Sequence, residues 1–592
     1  MPNMHLFDAC VIGAGPAGIT AALELAERGL TVVLVESGAE NNDPAAQRLS
    51  DAKITIAGSH SVMSEAVRRG LGGTSALWGG RCVPLDALDF EQRDFIPMSG
   101  WPLKASDLQP YYQRACEILG VGNANFEVKS CTSLATKDHA LSSLFDDTET
   151  IRAIQLERWS GEPNLWRAYK DRLAAHSCIT VLSNMTCVGF RHAKPGEAVV
   201  EALVRSTAAA QTELHYIKAA VFILACGGVE STRLVLNTIN DPLGLKLDSV
   251  RLVGRYYMGH PSGKVADIEL FGDPKKTLYG FERDGGVFVR RRITIQPETL
   301  SKEKLFNIAF WLDHAPLPDW RHGSGVLSAA YLALNTPWLG TLLANPATRN
   351  RVAGNGAVVH RPHVLNCLRS PIGTVYYSAL FFYQRYIAKP RLPGFFTFNG
   401  SNRYALHYHA EQMPNWDSTI KLANEVDAHG MRKAQISLKW SPQDIESIIR
   451  AHEVLDKSLQ KNGIGRLSYR YPAEDLEKAV REQAVDGFHQ IGTLRMAADS
   501  SHGVTDPYGR LYGTTNCYVA SSAVFPTSGQ ANPTLALVAL TVRQARHIGA
   551  SLLNPKFKAA AGVTTSRPAP LGFECAPVTG KVATGAVHHG RL

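Results

Sequence analysis

The chain has 592 residues, enough at about 100–200 residues per domain for two to four domains and a sizeable core. With 45% hydrophobic and 19% charged residues it falls outside the disordered, collagenous and disulfide-scaffold classes. The net charge of +9 is local: Trp320 to Ala410 carries nine of the 62 cationic residues and no acid, and the remaining 53 match the 53 acids, so the excess does not indicate nucleic-acid binding.

From the amino terminus, Asp8 to Val11 predicts a buried strand, Ala17 to Arg28 a helix and Thr31 to Val35 a second strand. Between the first strand and the helix, Gly13 permits a tight turn, Gly15 lets backbone approach a pyrophosphate, and Gly18 lets the helix pack on the strand. Glu36 ends the second strand, where a carboxylate accepts from a ribose 2′-hydroxyl and repels a 2′-phosphate. This predicts a dinucleotide site, and the motif alone does not separate NAD from FAD. The glycine-rich run Gly70 to Gly80 is ill suited to a helix or strand interior. It predicts a loop that lays backbone N–H groups along a planar or anionic cofactor, with Leu71, Leu77 and Trp78 arguing against a solvated linker. Ala219 to Ala225 predicts a second apolar strand, followed by Cys226-Gly227-Gly228 and a helix over Glu230 to Leu236. With Thr186-Cys187-Val188 it fits a return of the chain to the nucleotide domain.

The acid-free segment contains two apolar stretches, Val326 to Ala344 and the aromatic-rich Ile372 to Ala388. One reading is helices covering a pocket, with solvated arginines. A second is a patch for anionic lipid or a membrane-bound electron acceptor. A third is recognition of an acidic saccharide. His360/His363 and His407/His409 read as ordinary histidines rather than ligand pairs. Glu411 to Leu422 predicts a loop and then a strand. Further on, Gly487 to Met496 sets His489 among small and apolar residues. Ser528 to Leu535 opens a helix through Gln544, with Asn532 at the N-cap and Pro533 in the first turn. The positive end of such a helix stabilises charge near N1 and O2 of a reduced flavin. Residues from Pro555 to Leu592 read as a disordered tail. The ten cysteines form no Cys-x-x-Cys pair and no zinc-type cluster, so no metal and a reducing, cytoplasmic setting are expected. The glycine motif lies too close to Met1 for a signal peptide, and no apolar run reaches about 18–20 residues.

The blocks Gly13 to Glu36, Gly70 to Gly80, Ala225 to Leu234, Gly254 to Pro261 and Gly487 to Ala536 together resemble the glucose-methanol-choline (GMC) family of FAD-dependent oxidoreductases. The resemblance implies an α/β fold: a Rossmann-like, p-hydroxybenzoate-hydroxylase-like FAD-binding domain with a discontinuous α+β substrate domain. It implies FAD-binding parts at 1–90, 161–265 and 485–554, a covering region at 91–160, and a substrate domain at 266–484 whose cap is 320–410. It implies that His489 accepts the substrate hydroxyl proton while hydride passes to flavin N5, and that Asn532 hydrogen-bonds the same oxygen. Gly13, Gly15, Gly18, Glu36, Gly73, Thr74, Ser75, Trp78, Val188, Gly227, Ser521, Pro533 and Thr534 are the implied FAD contacts. Leu77 stands where pyranose oxidases tether the flavin through a His, so the FAD is expected to be non-covalent. Ser521 replaces the family's usual Asp or Gly, and His260-Pro261 reads as a structural marker. The implied reaction converts CH–OH to carbonyl in a sugar, polyol or glycoside. An apolar alcohol at a membrane surface, or a lyase or non-redox use of the fold, is the alternative. The electron acceptor stays open among dioxygen, a quinone and a protein, and a peripheral contact with anionic membrane through 320–410 is a further expectation.

Overall fold

The computed structural model describes residues 6–554 apart from 132–148, 193–197, 208–212, 275–276, 278, 344–348, 350–352, 354–357, 395 and 397–400, so the expected tail lies outside the described residues. Phe7–Ile12, Val32–Val35, Ile179–Leu182, Cys517–Val519 and the second half of His215–Leu224 form parallel pairs. The helix Pro16–Ala26 and the strand Met185–His192 both contact Val32–Val35, and Val-Val-Leu-Val is buried at every position. The first half of His215–Leu224 leaves this sheet to pair antiparallel with Val199–Ser206, which in turn pairs with Met185–His192.

The helix Pro16–Ala26 joins the first two strands. At Gly18 an added Cβ would lie 1.7 Å from the Gly13 carbonyl oxygen, so only glycine lets the helix sit this close to the turn. The helix Thr534–Leu553 packs against Pro16–Ala26 and Ala105–Leu119. Leu535, Val538, Ala539, Val542 and Ala545 recur at helical spacing and are all buried.

A six-stranded antiparallel sheet forms the second layer, in the order Gly465–Tyr469, Ser262–Leu270, Arg403–Ala410, Ile308–Asp313, Ile293–Ile295, Ile151–Arg152. In Arg403–Ala410, Tyr404, Leu406, Tyr408 and Ala410 join the core that includes helix Pro442–Lys461. Strand alternation sends His407 and His409 to the other face, where His409 meets His489. Ser441 and Asp444 cap that helix reciprocally, each side chain accepting from the other's backbone N–H. The cap leaves the sheet after Asp313 and returns at Arg403. It contains helices Gly325–Asn335, Pro337–Leu343, Arg361–Arg369 and Pro371–Phe382, with a π-helical turn at Tyr383–Ile387. Pro337 breaks the first apolar stretch into two helices bent by 105°.

Candidate active site

One continuous cavity of about 750 Å³ reaches from Glu36 to His489 and Asn532, large within the usual range of ligand sites. At its nucleotide end the two predicted glycine loops touch: a Cβ on Gly73 would lie 2.9 Å from the Cα of Gly15. That contact brings Gly13, Gly15, Gly73, Thr74, Ser75 and Trp78 to one wall. Neither Gly15 nor Pro533 offers a capping side chain, so the helices beginning at Pro16 and Thr534 present their N-terminal ends to the cavity without one. Such ends favour a ligand with anionic groups, as a dinucleotide has. Glu36 lines the same end, and its carboxylate accepts from the amides of Ala14 (2.8 Å) and Gly38 (3.1 Å). Gly227, Pro533 and Thr534 complete this lining. The residues present therefore fit FAD, with Gly13, Gly15 and Gly73 giving backbone clearance and Glu36 the ribose-side carboxylate.

The far end is built by hydrogen-bond direction. A guanidinium has only donors, so Arg81 Nε, 2.8 Å from Asn532 Oδ1, fixes the amide with its oxygen towards Arg81. The Asn532 Nδ2 group then donates to His489 Nε2 at 2.9 Å. Nε2 is thereby the acceptor, and the ring proton belongs on Nδ1, which faces Asp486 Oδ2 at 3.2 Å. Asp486 also accepts from the amides of Phe488 (2.9 Å) and His260 (2.6 Å). Burial alone would raise the Asp486 carboxyl, but His489 beside it and the further hydrogen bonds hold it at about 2. Gly487 allows this turn, since its φ is +123° and a Cβ there would lie 2.6 Å from the His60 ring.

Around this chain lie Trp311, Trp159 and Phe281, interleaved with guanidinium groups. Arg81 stacks on Trp311, and Arg290 lies 5.0–5.3 Å from the centroids of all three rings. Glu157, fully buried, faces Arg81, Arg290 and Arg292. Burial raises its carboxyl and the three arginines outweigh that, leaving it below the ordinary value. His260 stacks on His409 at 4.3 Å and meets His489 edge-on at 4.8 Å, so the expected structural marker borders the reaction centre. Ring nitrogens of these three histidines lie within 4.8 Å of one another. Two of the rings are already engaged through one nitrogen, with the carbonyls of Ser528 and Gln530.

Several expectations need correction. Asn532 is not the N-cap: Pro533 occupies that position, which frees the Asn532 side chain for His489 and Arg81. Val188 does not line the cavity; Met185, Thr186 and Cys187 do, and a register shift between Cys187 and Gly189 leaves Val188 packed against the core. Ser521 also lies off the lining, because its hydroxyl accepts from Ala523 N, while Ser522 faces the cavity. Gly18 acts through packing rather than lining. The glycine-rich run is not wholly loop, since Gly73–Ala76 forms a 3-10 turn, and Leu77 is 54% exposed rather than packed inward. Sequence reasoning missed Arg81, Glu157, Trp311, His409 and Asp486. Of these, Asp486 carried a local signal, an acid three residues before His489.

Buried neutral histidines set an acid limit on stability. Burial depresses His260 to about 3, with His489 adding to the effect, and depresses His407 and His452 to about 4. The unfolded chain, with His near 6.5, therefore binds more protons between pH 6.5 and 4, so stability is full above that window and is lost as pH falls through it. His452 alone accounts for about 3 kcal/mol at its lower end. Thermal melts should show Tm level near pH 7.5 and falling steeply below 6.5, with His452→Phe flattening the slope. A Tm unchanged down to pH 4.5 would contradict this account.

Comparison with known proteins bears on the fold and the cofactor. A model described as GMC oxidoreductase matches residues 414–541, and one described as FAD dependent oxidoreductase matches residues 8–294. The chain is 23% identical to the 6'''-hydroxyparomomycin C oxidase of Streptomyces lividus, across 93% of this chain and 92% of that protein. It is 21% identical to the paromamine 6'-oxidase of Streptomyces fradiae with the same coverage. Among solved structures, pyridoxine 4-oxidase from Mesorbium loti shares the fold, with TM-score 0.50 and 14% identity over 91% of this chain and 99% of that one. The FAD-fitting cleft that ends at a histidine and an asparagine thus lies in a chain that carries an FAD-dependent oxidoreductase domain and a carboxy-terminal GMC oxidoreductase domain.

Proposed function

We propose that the protein oxidises a CH–OH group of a neutral or acidic saccharide to a carbonyl, with His489 as the base. The observation that carries this reading is the directed chain Arg81–Asn532–His489–Asp486 at the inner end of the FAD cleft. A substrate hydroxyl that replaces the direct Asn532–His489 hydrogen bond donates its proton to His489 Nε2 and accepts from Asn532 Nδ2. Asp486 balances the positive charge that proton transfer leaves on the ring. Bound FAD supplies the two-electron acceptor for the carbinol hydride. Trp159 and Phe281 line the cavity and border the C–H surfaces of a sugar ring, while the Trp311 indole is covered by Arg81 and His407. Two relatives are oxidases of aminoglycosides by name. Here Arg81 and Arg290 line the cavity, and its nearby acid Asp313 is already engaged by Lys264 at 2.6 Å. That charge repels ammonium groups, which supports a saccharide without them.

The experiment is anaerobic addition of neutral sugars, uronic acids, aminoglycosides and long-chain alcohols to the FAD-loaded protein. Bleaching of the flavin absorbance by a neutral or acidic sugar is expected. Bleaching by aminoglycosides or long-chain alcohols alone would overturn the substrate class, and no bleaching by any alcohol would overturn the oxidation. Admitting air afterwards distinguishes dioxygen from a quinone or protein as acceptor.

A further inference from the structure

We propose that the cap between Ile308–Asp313 and Arg403–Ala410 is a docking surface for an anionic membrane, holding the enzyme peripherally with its cavity mouth close to the bilayer. The first argument is burial. Pro371–Phe382 is apolar nearly all round yet buries only Thr374, and Tyr383–Ile387 buries nothing. A helix of that composition belongs inside a protein or against lipid. Trp338, Leu342, Leu368, Ile372, Val375 and Ile387 are each 60–85% exposed. The cap helices pack on one another through Gly325–Asn335, so these side chains belong to one body rather than scattered sites. Soluble monomers rarely leave so large an apolar area bare. Tyr376, Tyr377, Tyr383 and Tyr386 add amphipathic rings of the kind that settle at headgroup depth.

The second argument is charge. Arg361, Arg369, Lys389 and Arg391 are exposed on the same helices and the loop that follows them. No acid occurs anywhere from Trp320 to Ala410. A second copy seated on this face by two-fold symmetry would set these cations against one another, whereas anionic headgroups complement them. Arg385 is not part of the set: its guanidinium donates to the carbonyls of Leu392 (2.6 Å) and Pro393 (3.1 Å), bracing the exit of the cap. No helix among the described residues is long and apolar enough to cross a bilayer, and the bent Gly325–Asn335 and Pro337–Leu343 pair suits a position in the interface.

The third argument is continuity with the site. His314, just before the cap, and Pro393 and Gly394, just after its last helical turn, line the cavity. A membrane held by the cap therefore lies beside this part of the cavity wall.

The test is co-sedimentation of the full-length, FAD-loaded protein with vesicles of phosphatidylcholine, with and without phosphatidylglycerol. Binding is expected only with phosphatidylglycerol and is expected to weaken with salt. Each exposed cation converted to glutamine among Arg361, Arg369, Lys389 and Arg391 should weaken it about fivefold. Ile372→Asp with Val375→Asp should abolish it, without altering oxidation of a soluble substrate or the far-ultraviolet circular dichroism. Equal binding to phosphatidylcholine alone, or wild-type binding by these variants, would overturn the proposal. So would a wild type that ignores vesicles but forms a dimer lost in Ile372→Asp, an outcome that assigns the face to a second copy. Failure to bind vesicles as a monomer overturns it as well.

Discussion

His489→Ala is expected to slow substrate-driven flavin reduction by roughly 10²–10⁴-fold while FAD stays bound, the usual range for loss of a positioned general base. FAD retention follows because most of the lining lies towards the Gly13 turn and the Gly73–Ala76 turn, away from the imidazole. Anaerobic stopped-flow measurement with a bleaching substrate gives the rate, and absorbance of the isolated protein gives the flavin content. A variant reduced within tenfold of the wild type would remove His489 from the role of base. Asp486→Asn provides a companion measurement of a positioning residue. The carboxylate accepts from the Nδ1 side of His489, whereas an amide at that place also offers donors, and the tautomer with an unprotonated Nε2 loses its support. Since Asp486 is held at about 2, it stays ionised across neutral pH. Its replacement should therefore move the acidic limb of the pH–rate profile as well as lower the rate. A loss of rate with an unmoved profile would reduce Asp486 to a structural support for the turn.

Glu157→Gln is expected to be among the most damaging single changes to stability. The carboxylate is fully buried with Arg81, Arg290 and Arg292 around it, and the Arg292 guanidinium is wholly buried too. Removing one partner of a buried charge group leaves the others uncompensated, at a cost of about 3–5 kcal/mol. Because Arg81 is held by Glu157 and itself holds Asn532, the same change should reduce turnover in whatever protein remains folded. Thermal melts should show a fall in Tm of several degrees, partly recovered when Arg290→Met removes one of the stranded cations. Equal stability of Glu157→Gln and wild type would show that the arginines are compensated elsewhere.

The nucleotide half was legible for a local reason. Strand, glycine turn, helix and second strand follow one another within Phe7 to Glu36, and each imposes its own short-range pattern of apolar period, positive φ or close backbone approach. Element ends moved by only a few residues, as with Gly228–Ile239 in place of a shorter helix, because the apolar pattern marks what is buried and not where a terminal turn frays. Val188 and Ser521 lie off the cavity lining for an equally specific reason. Motif position does not encode the register shift after Cys187 or the turn that occupies the Ser521 hydroxyl.

By itself the sequence determined the dinucleotide turn, the placement of His489 and Asn532 in separate carboxy-terminal blocks, and the confinement of excess positive charge to one acid-free segment. Only the tertiary structure decided that Arg81 meets Asn532, that Glu157 gathers three arginines, that His409 and His260 back His489, and that the cap turns its apolar helices outward. These are contacts between segments up to several hundred residues apart. Hydrogen-bond direction and charge compensation arise when the two sheets and the cap come together, and neither leaves a periodic trace along the chain.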